Sequence, residues 1–240
     1  MRGAVLVIGS LLWDDKNNRD AWRGEHLRVD AAIPVRVPIR YGRKSSKRSN
    51  TYTMTLFPGH PAGCGVLVPL QSALTSFDTL WTEAQALWNA ESGNAAPGSI
   101  GAGWGCIGAM FRSTPDADET QQQWTRAFQE RGTQVINPVR HDGILDIPWP
   151  TTLGSDDADV DVILANATRE AEPAPTSRIV ADAWCAQDAG EEKYFFENVR
   201  YGIRTIDDQP IWRQIKAKNP PWLKNGAYAD VAALLDGQGC

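Results

Sequence analysis

The sequence predicts an α+β fold, on the basis of two patterns. Short apolar runs of the kind found in strands, such as residues 5–8, alternate with turns rich in glycine and proline. Residues 73–91, in contrast, place their apolar side chains at helical spacing. The chain has 240 residues, of which 42% are hydrophobic and 22% charged. This composition is typical of a globular protein with a substantial core.

Charge and composition exclude several classes of function. A net charge of −5 argues against a surface devoted to nucleic acid or to anionic membranes. No apolar run approaches the length of a bilayer crossing, and the N-terminus lacks the pattern of a signal peptide, so we expect a cytoplasmic protein. The cysteines show no C-x-x-C spacing, so we expect reduced thiols and no metal site. They are Cys64, Cys106, Cys185 and Cys240.

The pattern of the first half of the chain predicts five strands and one helix. Residues 51–56 alternate apolar residues with threonine, as is typical of a strand. Pro38 predicts that the strand around it is an edge strand or a bulged strand. The helix at 73–91 can be capped by Thr75 or Ser76. Strands are expected at residues 5–8, 35–41, 51–56, 64–70 and 104–111.

The second half gives weaker patterns. Helices are expected at residues 121–131 and 228–235, and strands at residues 141–150, 160–165 and 179–185. The aromatic residues of the segment 194–201 are expected in the core or at a dimer surface, so a homodimer is one possible assembly.

The loop after Phe111 is the best place to divide the chain. We therefore expect a core at 1–111 and an extension of unknown role at 112–240, packed as one compact unit.

The first strand ends in a way that suits ligand binding. Gly9 lacks a Cβ atom, so the backbone can bend there and another molecule can approach its N–H groups. Ser10 adds a hydroxyl that can donate or accept a hydrogen bond. Such a strand end can hold an anion, although a simple tight turn has the same residues.

Three short motifs resemble the γ-glutamyl cyclotransferase-like superfamily. The string VIGSLLW at residues 7–13 is similar to the Tyr-Gly-Ser motif that ends the first strand in that family, and its Leu-Leu-Trp ending is similar to the glutathione-degrading branch. Gly65-Val66 is similar to the next landmark, and Leu80 to Ala84 fits the spacing of the helix that carries a catalytic glutamate. The resemblance covers residues 1–111 and rests on short motifs.

The resemblance implies a small mixed β-barrel with flanking helices and a cavity near its mouth, to which a C-terminal α/β extension is added. It also implies release of 5-oxoproline from a γ-glutamyl amine or peptide, in which the substrate's own amino group attacks its side-chain amide. Glu83 would be the acid and base, with Glu91 in reserve. Gly9, Ser10 and Leu11 would form the rim that binds the substrate. No metal or organic cofactor is implied.

Two alternatives stay open. Ile8 stands where the resembling enzymes have tyrosine, so the chain is alternatively a non-catalytic module that binds a small molecule or a protein. The basic segment at 36–48 can bind nucleic acid, or it can present Arg40 and Arg43 to a substrate carboxylate. The acidic net charge favours the second interpretation, with a small molecule and no nucleic acid as the partner.

Overall fold

The computed structural model describes residues 1–93, 95–154, 159–186, 190–224 and 226–237, apart from the side chain of Asn17. Its strands are β1 (Gly3–Val7), β2 (Ile33–Ser45), β3 (Thr51–Leu56), β4 (Ala62–Pro69), β5 (Gly101–Ala102), β6 (Gly105–Phe111), β7 (Thr151–Thr152) and β8 (Val162–Thr168). Its α-helices are α1 (Arg19–His26), α2 (Phe77–Ser92), α3 (Pro115–Glu130), α4 (Ser177–Cys185), α5 (Lys193–Arg200), α6 (Asp208–Lys218) and α7 (Ala229–Asp236). The predicted α+β class is confirmed.

The helix predicted at 73–91 is α2, and its start is set by a capping box. The Ser76 hydroxyl accepts from the Thr79 N–H, and the Thr79 hydroxyl accepts from the Ser76 N–H. Gly93 ends the helix in the left-handed conformation, with φ at 79°. The buried face of α2 includes Trp81 and Trp88.

The strands form one sheet in the order β3-β2-β4-β1-β8-β6-β5, with β7 paired to β2. Only the pair of β1 and β8 is parallel among these ladders. Within the described residues no ladder joins β3 to β5, so the sheet is open. The expectation of a barrel is therefore wrong in this respect.

The sheet nevertheless curls, because β2 changes partner halfway along its length. Its first part pairs with β4 and its second part pairs with β3, with a register shift between Tyr41 and Arg43. The bent ribbon reaches back to the end of β8, where the Thr55 hydroxyl donates to the Thr168 carbonyl at 3.0 Å. Isolated bonds of this kind hold the ribbon over the sheet without closing a barrel.

The parallel pair brings two strand ends together. Leu6 on β1 lies opposite Ala165 on β8, so both strands finish at the same edge of the sheet. β8 comes from the segment 112–240 and lies between β1 and β6, which come from the segment 1–111. The two expected segments therefore share one sheet.

Two predictions for the second half are wrong. Residues 179–185, predicted as a strand, lie in α4, because the Thr176 hydroxyl caps a helix whose buried side chains include Val180, Ala181 and Trp184. A short apolar run fits either structure, and here the cap decides. Residues 141–150 form turns and two isolated β-bridges, at Ile144 and Leu145, rather than a strand. The chain there is bent at Gly143, which has φ at 79° and accepts from the Ala109 N–H.

The cysteines divide into two kinds. Cys106 and Cys185 are free, as predicted, whereas Cys64 is disulfide-bonded, so the prediction of reduced thiols is wrong for Cys64. Cys240 lies outside the described residues. Across the described ranges, no helix combines the length and the apolar character that a bilayer crossing needs.

A buried carboxyl group joins α6 to the sheet. Asp208 has no exposed surface, and it accepts from the Thr205 hydroxyl at 2.7 Å and from Arg204 Nε at 3.0 Å. Arg204 in turn exchanges backbone hydrogen bonds with Cys64 on β4. Burial raises the pKa of Asp208 to about 6, against the opposing effects of Thr205 and Arg204.

The raised pKa predicts a pH-dependent contribution to stability. Because the folded protein holds the Asp208 proton more tightly than the unfolded chain, stability from this group is complete below pH 3.8 and is lost as the pH rises through about 6. The difference in unfolding free energy between the wild type and Asp208→Asn should therefore fall by roughly 2 kcal/mol from pH 4 to pH 7. Urea unfolding at each pH measures it, with Asp78→Asn on the exposed side of α2 as the control. A difference that stays constant or grows would contradict this account.

Candidate functional site

A cavity of about 470 Å³ opens where the ends of β1, α2 and β8 meet the ribbon of β2 and β3. This volume is in the range of small-molecule sites. The charged residues of its lining are Asp14, Lys16, Arg19, Arg43, Lys44, Lys47, Arg48, Glu91, Arg169 and Glu170. Cations outnumber carboxylates in this set, so the cavity favours an anionic ligand.

The predicted rim residues Gly9, Ser10 and Leu11 all line this cavity. The chain leaves β1 in an extended conformation at Gly9 and then forms a single helical turn, in which the Leu12 N–H donates to the Gly9 carbonyl. The N–H groups of Ser10 and Leu11 precede this first bond, so the turn itself does not use them. Trp13 anchors the turn, since its Nε1 donates to Asn198 Oδ1 on α5 at 2.8 Å.

Tyr194 on α5 explains why residue 9 is glycine. A Cβ atom at this position would lie 2.8 Å from the Tyr194 hydroxyl oxygen. That oxygen accepts from the Met54 N–H at 3.0 Å, which fixes the ring between β3 and the turn. Tyr194 is only 3% exposed, yet it lines the cavity. Burial raises the pKa of Tyr194, so the phenol keeps its proton at neutral pH.

Arg19 connects the turn to the end of α2. Its Nη1 donates to the Ser10 hydroxyl at 3.0 Å, and its Nη2 donates to Glu91 Oε2 at 3.2 Å. Its Nε donates to the Ala90 carbonyl at 3.0 Å. The side chain is only 7% exposed, so these acceptors replace water around the guanidinium.

Asp14 adds a second carboxylate to this network. It accepts from Arg19 at 3.3 Å and from Arg48 at 2.7 Å. Burial alone would raise the pKa of Asp14, but the Lys16 N–H and the two guanidinium groups lower it below its ordinary value. Arg48 comes from the tip of the basic segment and lies 4.9 Å from the Tyr194 ring centroid, so the tip is held against the cavity.

Glu91 receives a second cation from β2. Arg43 Nη1 lies 3.7 Å from Glu91 Oε1, and the guanidinium stacks 4.4 Å from the ring centroid of Trp104. Burial lowers the pKa of Arg43, and the Glu91 carboxylate opposes that effect. Each oxygen of Glu91 thus faces one guanidinium and keeps further lone pairs for a ligand. The side chain is 13% exposed and lines the cavity.

Two predicted site residues lie elsewhere. Glu83 does not line the cavity, and its Oε2 lies 2.8 Å from His26 Nδ1 on α1. Arg40 is also absent from the lining. It forms a bidentate pair with Glu170, at 3.2 and 2.9 Å, and stacks over Phe57.

Sequence reasoning missed Arg19 and the role of Tyr194. Arg19 lies in a polar stretch with no motif, and its partners on α2, Ala90 and Glu91, are distant in the sequence. Tyr194 belongs to a segment expected in the core or at a dimer surface, and it is buried while its hydroxyl lies beside Gly9. For Arg48, the run of basic residues gave a signal without showing which of them faces the site.

Comparison with known proteins adds no assignment, because no family model matches the chain and no curated protein matches it significantly.

The close approach of Tyr194 to the turn predicts a coupled pair of substitutions. Gly9→Ala should destabilise the protein by about 1–3 kcal/mol, because the new methyl group overlaps the phenol oxygen. Tyr194→Phe removes that oxygen, so Gly9→Ala should be less harmful in the Tyr194→Phe background. Urea unfolding of the four proteins gives the coupling energy. Strictly additive effects would show that the two residues do not meet.

Proposed function

We propose that the protein is a γ-glutamyl cyclotransferase-like enzyme that releases 5-oxoproline from a γ-glutamyl amine or peptide. One observation carries the proposal. A single guanidinium, that of Arg19, holds both the Ser10 turn at the end of β1 and the Glu91 carboxylate in one cavity. The resemblance of residues 7–13 supports a cyclotransferase-like arrangement of this region, although the sheet is open.

Glu91 is the proposed acid and base. Its carboxylate takes a proton from the α-ammonium group of the γ-glutamyl unit, and the freed amine attacks the side-chain amide carbon. A C–N bond forms to close the five-membered ring, and the C–N bond to the leaving amine breaks. Glu91 returns the proton to the leaving nitrogen. No net oxidation occurs, so the reaction needs no redox partner.

The turn supplies the other half of the proposed chemistry. The N–H groups of Ser10 and Leu11 can donate to the amide oxygen as negative charge develops on it. The guanidinium groups around the cavity can bind the substrate carboxylate, because an arginine side chain can donate two parallel hydrogen bonds to a carboxylate. Holding the amine and the amide carbon together favours ring closure, because both groups belong to one molecule.

A non-catalytic binding module is the second candidate. It is favoured by the ion pairs of Glu91, because each of its two oxygens already faces a guanidinium group. Ile8 also leaves the first strand without the phenol of the resembling enzymes. Such a module would bind a γ-glutamyl compound in the same cavity and leave it intact.

Two glutamates on one helix provide a matched test. Glu91→Gln should reduce 5-oxoproline release by about 10²-fold to 10⁴-fold, because the acid and base are lost. Glu83→Gln removes a carboxylate from the same helix outside the cavity, so it should retain wild-type release. Release is measured by chromatography from glutathione and from a panel of γ-glutamyl amines and dipeptides.

Three results would count against the enzyme or its base. Loss of release in Glu83→Gln but not in Glu91→Gln would return the role to Glu83. Release that survives in both variants would remove the role from both residues. No release from folded wild-type protein, together with binding of the same compounds, would favour the binding module.

A further inference from the structure

Two polar side chains of β8 lie at the cavity without a hydrogen-bond partner among the described residues. They are Asn166, through its Oδ1 atom, and Thr168, through its Oγ1 atom. Both residues line the cavity, and Thr168 is 95% buried, being only 5% exposed. Buried polar groups in folded proteins nearly always have a hydrogen-bond partner. Two such groups without a partner at the wall of a cavity therefore indicate that a bound ligand supplies it.

The fold places both side chains at the edge of the sheet that carries the Ser10 turn. Residues two apart on a strand project from the same face, so Asn166 and Thr168 point the same way. Because β8 is parallel to β1, its end lies beside the end of β1. Gly105 on the neighbouring strand leaves room for the amide, since a Cβ atom there would lie 3.3 Å from Asn166 Oδ1.

The chemistry of the two atoms differs from that of the guanidinium groups in the lining. The guanidinium groups of Arg19 and Arg43 are donors only, so they suit the anionic groups of a ligand. Asn166 Oδ1 is an acceptor, and Thr168 Oγ1 can accept as well as donate. A ligand group with two or more N–H bonds, such as an amino group, can therefore satisfy both atoms.

We propose that Asn166 and Thr168 bind the α-amino group of the substrate and so select ligands in which this group is free. The inference rests on the proposed function, in which that amino group is the nucleophile. Asn166 and Thr168 would then determine specificity, because an analogue that lacks the amino group leaves both side chains unpaired, and one that carries it acylated keeps only one N–H for the two of them. They would also hold the nitrogen while Glu91 takes its proton.

The first test needs no ligand. Thr168→Val keeps the shape of the side chain and removes a hydroxyl that has no partner in the described part of the chain, so it should raise the melting temperature by about 2–4 °C. Thr168→Ser keeps the hydroxyl and serves as the control without this gain. A clear loss of stability in Thr168→Val would mean that the hydroxyl is bonded within the protein, and that result would overturn the proposal.

The second test separates this inference from the proposed function. The substrate probe is γ-L-glutamyl-L-alanine, and the matched inhibitor is glutaryl-L-alanine, which lacks only the α-amino group. In the combined variant Asn166→Leu and Thr168→Val, kcat/KM for the substrate should fall by about 10-fold to 100-fold. The inhibition constant of glutaryl-L-alanine should stay within about twofold of the wild-type value. Thr168→Ser and Asn166→Asp, which keep acceptor oxygens, should restore most of the loss.

The outcomes are distinct. An equal loss for the substrate and the inhibitor, or no loss for either, would overturn the role of Asn166 and Thr168 while the wild type still released 5-oxoproline. No release by the wild type from any γ-glutamyl compound would overturn the proposed function together with this inference.

Discussion

Arg19 is a positive charge that has almost no contact with water, and the protein has to supply acceptors around it. Those acceptors come from three places in the chain: the turn after β1, the loop before α1, and the last turn of α2. Their shared bonds to one guanidinium bring Ser10, Asp14 and Glu91 to the same wall of the cavity. Without the Arg19 guanidinium, the carboxylates of Asp14 and Glu91 would have fewer positive charges nearby to stabilise them.

The same constraint accounts for the residue types around the cavity. Arg43 and Arg48 extend the network to β2 and to the tip of the basic segment, so the buried carboxylates are shared among three guanidinium groups. Tyr194 closes the network on the side of α5, where its hydroxyl oxygen would lie 2.8 Å from a Cβ atom at residue 9. The segment 112–240 thus completes the cavity through β8 and α5.

Local patterns in the sequence were sufficient for most of the first half of the fold. Alternation in residues 51–56 and helical spacing in residues 73–91 predict β3 and α2, although the threonines of β3 are buried along with its apolar residues. Residues 179–185 form a helix where the sequence predicts a strand, because an apolar run of this length fits both. The order of the strands in the sheet depends on pairing between distant segments of the chain. Local periodicity gives no information about that pairing.

The candidate site shows the same limit. Gly9, Ser10 and Leu11 could be predicted because a strand end and its turn are adjacent in sequence. Glu83 and Glu91 lie eight residues apart on α2, a separation of about 12 Å along the axis, and both are carboxylates on an amphipathic helix. Which of the two faces the cavity depends on where Arg19 and Arg43 meet the helix. Those contacts span 72 and 48 residues of sequence, and no motif marks them.

The most direct measurement is a crystal structure of the Glu91→Gln protein with γ-L-glutamyl-L-alanine bound. The account predicts the dipeptide in the cavity beside the Ser10 turn, with its amino nitrogen within about 2.6–3.2 Å of the side chain at position 91. A dipeptide bound in the cavity with its amino group turned away from position 91, or bound outside the cavity, would contradict the account.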